Sequence, residues 1–127
     1  MSRIYNPFVG AGSSPTPSPQ AEEVATLNFQ YTDTSALIFT APAGAKIISA
    51  MVVVSTAFDD PNASIMIGDS ILNNRLMLAS QSDLFEADSY QAYREFIYAS
   101  ATQVNFYLSP GISTAGQGFV VVFYNLE

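Results

Sequence analysis

The chain has 127 residues, room for one domain with a sizeable core. Hydrophobic residues make up 49% and charged residues only 12%, which excludes disorder for the bulk of the chain and suggests that part of its surface is covered by another protein. The net charge is -7 and the only bases are Arg3, Lys46, Arg75 and Arg94, so the clustered cations of a nucleic-acid binder or a polybasic membrane patch are missing.

Residues 1–9 carry four large apolar side chains, Ile4, Tyr5, Phe8 and Val9. Residues 10–20 place Pro15, Pro17 and Pro19 at alternate positions among small residues, which predicts an extended tether of polyproline type. At about 3 Å per residue such a tether spans roughly 30 Å. Residues 1–21 read either as a frayed terminus or as an anchoring arm that docks into a partner, and the arm is the preferred reading because apolar side chains of this size are costly to leave in water. Residues 22–127 read as the folded domain. The first ten residues lack a charged n-region followed by a long apolar stretch, and no apolar run approaches the roughly 20 residues of a bilayer span. A soluble chain made in the cytoplasm is expected.

From residue 22 onward the pattern is one of short strands between turns. Residues 26–32 alternate polar and apolar side chains, as a half-buried strand does. Residues 36–40 form a second strand, ended by a turn at Pro42 and Gly44. Residues 46–56 hold Ile47, Ile48, Met51, Val52, Val53 and Val54, a β-branched run that predicts a central strand covered on both faces. A turn at Asp59, Asp60, Pro61 and Asn62 leads to a strand over 64–67, stopped at Gly68 and Asp69. Residues 70–84 fit either a short helix through Leu72, Leu76 and Leu84 or a long loop with one small strand. Residues 90–98 form an aromatic-rich strand, 103–108 another with Val104, Phe106 and Leu108 inward, and 119–124 a last one, apolar on both faces. Seven or eight strands with no convincing helix predict an all-β fold, a two-sheet antiparallel β-sandwich of jelly-roll or related Greek-key topology. Few charges guard its edges, so docking or oligomerisation is expected to cover them.

Catalytic and metal-binding patterns are weak. Gly68, Asp69, Ser70, Ile71 and Leu72 match the opening block of the GDSL esterases, but a serine nucleophile needs a base and the chain contains no histidine. A turn at a strand end is the better reading. Asp83, Glu86, Asp88 and Glu95 read as solvated loop charges rather than a glycosidase pair. Asp59, Asp60, Asn62 and Asp69 offer hard oxygens without the spacing of an EF-hand. Cysteine is absent, which removes disulfides and thiolate metal sites, and neither nucleotide-binding glycine pattern occurs. No enzyme activity, cofactor or metal is expected. The seven tyrosines and nine phenylalanines are numerous for this length. Tyr90, Tyr93 and Tyr98 share one predicted strand in mixed phase, and tyrosine suits protein interfaces, or less readily a sugar platform.

Residues 39–47 with Pro42, Gly44 and Lys46, residues 67–70, 75–80, 100–102, 107–111 and 113–118, together with the opening Ile4-Tyr5-Asn6-Pro7-Phe8, carry a resemblance. In this order of turns and strands the chain resembles small β-sandwich virion proteins of tailed bacteriophages, and its opening resembles N-terminal segments of phage tail and fibre proteins. The resemblance implies a virion component assembled in the host cytoplasm. The leading expectation is a capsid decoration or cement protein, with the major capsid protein as partner. A tail or tail-fibre accessory protein bound to tail proteins is the first alternative, and a carbohydrate-binding module using exposed tyrosines is the second. Ile4, Tyr5, Phe8 and Val9 would bind the partner. Tyr90, Tyr93 and Tyr98 would serve the partner contact or self-association of the body, as a dimer or trimer. No nucleic acid or membrane is expected among the partners. A Ser70→Ala variant is expected to leave hydrolysis of simple esters at the level of the parent protein, and a serine-dependent loss of activity would overturn the turn reading.

Overall fold

The structure, a computed structural model, describes residues 22–126. Seven strands follow one another: β1 (Glu22–Gln30), β2 (Ser35–Ala41), β3 (Lys46–Thr56), β4 (Ser64–Gly68), β5 (Ser89–Ile97), β6 (Thr102–Ser109) and β7 (Gln117–Asn125). The segment left open between helix and loop is mostly loop. It holds one 3₁₀ turn, Ala79–Gln81, and a single bridge from Met77 to Ile67 on β4.

The strands form two antiparallel sheets, ordered β1-β7-β3-β5 and β2-β6-β4. Every connection passes from one sheet to the other, so no two consecutive strands are hydrogen-bonded neighbours. The pairings follow one antiparallel ribbon folded back at β4: β1 with β7, β2 with β6 and β3 with β5. Rolling that ribbon brings β7 also beside β3 and β6 also beside β4. The expected sandwich is what forms, and the two apolar strands β3 and β7 occupy the interior of the larger sheet.

Alternation fills the space between the sheets. Ala50, Val52 and Val54 of β3, Val120 and Val122 of β7, Ile65 and Ile67 of β4, and Val104, Phe106 and Leu108 of β6 are all buried in one cluster. Phe29 sits at its centre, 6.1 Å from the Phe58 ring and 5.9 Å from the Phe106 ring, in tilted and edge-on contacts worth about 0.5–1.5 kcal/mol each beyond burial. Phe58 comes from the β3–β4 loop, and its ring lies where a Cβ on Gly116 would stand. Gly116 also has φ 141, so no other residue fits there without displacing the ring.

Loops at the two ends are stapled by aspartates. At one end Asp60 accepts from the backbone N–H of Asn62 at 2.9 Å and of Ile112 at 2.9 Å. Asp59 accepts from the Thr114 N–H at 2.8 Å and its hydroxyl at 2.6 Å. The β3–β4 and β6–β7 loops are thereby tied together. At the opposite end Asp69, 0% exposed, accepts from the N–H of Ile71 and Leu72, from Arg75 Nε at 2.6 Å and from the Tyr98 hydroxyl at 2.8 Å. Arg75 lies 4.4 Å over the Phe96 ring, and Phe96 meets Tyr98 edge-on at 4.8 Å.

Burial pushes the Asp69 carboxyl up, but Arg75, the Leu72 N–H, the Tyr98 hydroxyl and the Ile71 N–H together outweigh it and hold it below the ordinary aspartate value. A carboxyl depressed on folding stabilises the native state fully above the unfolded value of about 3.9 and loses that contribution as pH falls through its folded value. Asp69→Asn is therefore expected to lower stability at neutral pH and to flatten the acid limb of the stability–pH curve. Tyr98→Phe, which removes one donor from a buried carboxylate, is expected to cost about 1–3 kcal/mol in urea unfolding.

Candidate interaction surface

The tyrosines expected to share a contact do not share a face. Tyr90 stands opposite Val52 and packs against the core, with its hydroxyl donating to the Glu86 carbonyl at 3.0 Å. Tyr98 follows the end of β5 and is buried, bound to Asp69, so its ring offers nothing to a partner docking on the folded body. The parity explains the split, since positions 90 and 93 point to opposite sides of one strand. Only Tyr93 of the three faces solvent, at 76% exposure. A sugar platform needs several coplanar exposed rings, and these three tyrosines supply one. Ile4, Tyr5, Phe8 and Val9 lie outside the described residues.

Tyr93 belongs to a larger surface, the outer face of the four-stranded sheet. Three successive rows cross it from β1 to β5: Val24, Phe123, Ser49 and Tyr93; then Thr26, Val121, Met51 and Gln91; then Asn28, Phe119, Val53 and Ser89. None of these three rows of four contains a charge. Met51, Val53, Phe119, Val121 and Phe123 form an apolar spine down β3 and β7 and stand outside the core cluster between the sheets. Val121 is only 5% exposed because its neighbours on β1 and β3 crowd it. The flanks are open: Val24 is 54% exposed on one side, and Tyr93 stands clear on the other.

Charges appear only past the end of these rows. The next row holds Glu22, Asn125, Lys46 and Ile97, and Lys46 Nζ lies 3.7 Å from Glu95. Within the face, the Gln91 amide donates to Ser49 Oγ at 3.1 Å, which pairs these two polar groups with each other, while Thr26, Asn28 and Ser89 are exposed. A β-bulge in β3 between Ile47 and Ser49 sets this phase by moving Ser49 to the outer face and Ala50 to the core. The sequence made the two-faced character of β3 and β7 visible. It did not reveal Val24, whose strand reads as polar outside, because its membership depends on β1 pairing with β7 at the far end of the chain.

The remaining candidate chemistry has structural work. Ser70 is exposed, with Asp69 committed to its loop and to Arg75. Asp59 and Asp60 are occupied by backbone and hydroxyl donors of the facing loop. Among the described residues, no group of three or more acidic, histidine or cysteine side chains could hold a metal ion. Among the described residues, the outer face of the four-stranded sheet is thus an extended, uncharged, largely apolar feature suited to another protein surface.

No protein-family model matches the chain, and no curated protein sequence matches it. Solved structures do. A chain in the acidic stable capsid structure of Helicobacter pylori bacteriophage KHP30 superposes with a TM-score of 0.68 at 16% identity, covering 85% of this chain and 90% of that one. A chain in the cyanophage Pam1 capsid asymmetric unit superposes with a TM-score of 0.65 at 19% identity, covering 99% of this chain and 94% of that one. The fold is therefore one shared with chains found in two phage capsids.

Tyr93→Asp places a charge in the uncharged face at a position where the side chain supports little of the fold. It is expected to weaken association of the protein about tenfold or more in sedimentation while changing thermal stability by no more than about 0.5 kcal/mol. An unaltered association constant would remove Tyr93 from the contact.

Proposed function

We propose that the chain is a structural protein of a bacteriophage virion, a capsid decoration or cement protein that binds the shell through its sandwich body and its apolar N-terminal arm. The observation that carries this reading is the likeness of fold over nearly the full length of chains found in two phage capsids. The body supports it independently. Its outer face carries apolar side chains and no charge across three rows, and its titratable side chains tie loops together.

The division of labour follows from the chemistry. Ile4, Tyr5, Phe8 and Val9 supply buried apolar area at a partner site, and residues 10–20 let the body sit apart from that site. Each contact is modest, but two linked contacts raise the effective concentration of the second and so multiply the affinity. The major capsid protein is the partner in this reading. A tail or tail-fibre adaptor would use the same parts at far lower copy number.

The test is made on purified particles. Quantitative mass spectrometry is expected to find hundreds of copies per virion, as a shell protein requires, whereas a handful would assign the chain to the tail. Deleting residues 1–9 is expected to leave the thermal transition of the body in place and to reduce particle occupancy severely. Equal occupancy with and without those residues would overturn the anchoring role.

A further inference from the structure

Two open sheets leave β1, β5, β2 and β4 as edge strands, and what borders each of them separates one from the rest. β1 runs from Glu22 and Glu23 to a turn that holds Asp33, so pairing two β1 edges sets carboxylates against carboxylates. β2 breaks its register between Leu37 and Phe39, which leaves no long straight run for a ladder. β4 already meets the Met77 bridge at Ile67 on its other edge. β5 runs in unbroken register beside β3 from Ser89 to Tyr93, and among the described residues no strand pairs with its other edge.

Backbone alternation shows which groups the free edge of β5 offers. The Asp88 carbonyl accepts from the Val54 N–H at 2.8 Å, so residues 88, 90 and 92 turn their N–H and C=O groups toward β3. Ser89, Gln91 and Tyr93 turn theirs to the open side, where the Ser89 N–H is held by the Asp88 carboxylate at 2.8 Å. All three residues are exposed. Charge is divided along the same strand. Asp83, Glu86 and Asp88 precede it, and Arg94 lies toward its far end. Of the described bases, Lys46 pairs with Glu95 and Arg75 with Asp69. Arg94 donates to the Arg75 carbonyl at 3.0 Å and has no ion-pair partner among the described residues.

We infer that two copies of the chain pair their β5 edges antiparallel about a two-fold axis at Gln91, joining their larger sheets into one. Gln91 then stands opposite Gln91 of the second copy, Ser89 opposite Tyr93, and Asp88 opposite Arg94, each relation made twice by symmetry. Residues 89, 91 and 93 exchange N–H···O=C bonds across the axis, and Asp88 gives up the Ser89 N–H for a cation. Parallel pairing would set the acidic ends together, and an axis at Tyr93 would leave Arg94 opposite Ala92. Exposed ion pairs add little affinity but select register and partner. An axis normal to the sheet keeps both outer faces on one side. Three rows of four cover about 300–400 Å² by strand and residue spacing, so the joined faces approach the roughly 800 Å² that a standard interface takes from one partner. The dimer goes beyond the virion reading and gives the shell contact of that reading a larger face.

Purified full-length protein tests the pairing by sedimentation, with a reversible dimer as the expected species. Asp88→Arg and Arg94→Asp each set like charges opposite one another and are expected to raise the dimer dissociation constant about tenfold or more. The double variant Asp88→Arg/Arg94→Asp is expected to return it to within about threefold of the parent. Because the chain has no cysteine, introduced thiols read the register directly. Gln91→Cys, on the axis, is expected to close an inter-chain disulfide under mild oxidation about tenfold or more faster than Ser89→Cys, which stands about 13 Å from its own counterpart. The thermal transition checks each variant, and the exposed Gln91→Cys carries the test should a charge reversal unfold the body. A monomer at high concentration, single reversals without effect, no recovery in the double variant, or equal disulfide rates would each overturn the pairing. A monomer would leave the virion reading standing, whereas absence of the chain from purified particles would sink that reading and leave the dimer standing.

Discussion

Strand β7 is apolar on both faces, and most of the molecule is arranged around that fact. Val120 and Val122 point into the space between the sheets, while Phe119, Val121 and Phe123 point away from it. A strand of this kind must have paired neighbours on both edges and something on both faces. The fold supplies the neighbours by placing β1 and β3 on either side. It supplies one cover, the smaller sheet. The other face is left to the surroundings, and β3 repeats the same imbalance through Met51 and Val53. The outward-facing, half-buried apolar spine follows from using β7 as the interior of the larger sheet.

That arrangement places unusual demands on the loops, because every connection crosses between sheets and none is a tight hairpin. A chain without cysteine cannot tie such crossings covalently. It uses carboxylates instead, each accepting several donors from segments distant in sequence. Asp69 gathers its own loop, Arg75 and Tyr98, while Asp60 gathers the Asn62 turn and Ile112. Charge-assisted bonds of this kind are stronger than neutral ones, and the geometry of several donors fixes the loop in one place. Part of the small stock of charge is therefore used internally: Asp69 and Arg75 with each other, Asp59 and Asp60 in the loops. Three successive rows on the outer face of the larger sheet are thereby free of charge, without the loops at its ends being left loose.

Strand positions were legible in the sequence because each strand is bounded by turn residues and follows a period of two. The seven strands fall within a few residues of where alternation and β-branching place them, including the all-apolar β3 and β7. Which strands pair was not legible, because the partners of β1 and β2 lie near the other end of the chain and no hairpin turn announces them. The same distance hid Val24 from the candidate surface. Tyr98 misled for a different reason. Its aromatic neighbours suggested a surface strand, whereas its hydroxyl was needed inside to satisfy Asp69, and nothing local to residues 90–98 points to a carboxylate 29 positions earlier. Asp69 itself read as a turn residue, which it is, but its buried partners depend on the rolled ribbon.

An uncharged, shallow face has a consequence for the kind of contact it makes. Charge pairs fix register and partner over long range, whereas apolar contacts add affinity with little direction. A body whose contact face lacks charge must take its orientation from elsewhere, either from a tether that limits where it can land or from repetition of the same contact around a closed or extended array. The border row provides the remaining constraint. Lys46 and Glu95 stand at the end of the apolar rows nearest the start of β1, so a segment sliding past them would place apolar side chains against a charge pair and lose the hydration of both. Position along the face would therefore be limited by what borders it, and Phe119 and Phe123 are among the half-buried apolar side chains a partner would meet within it.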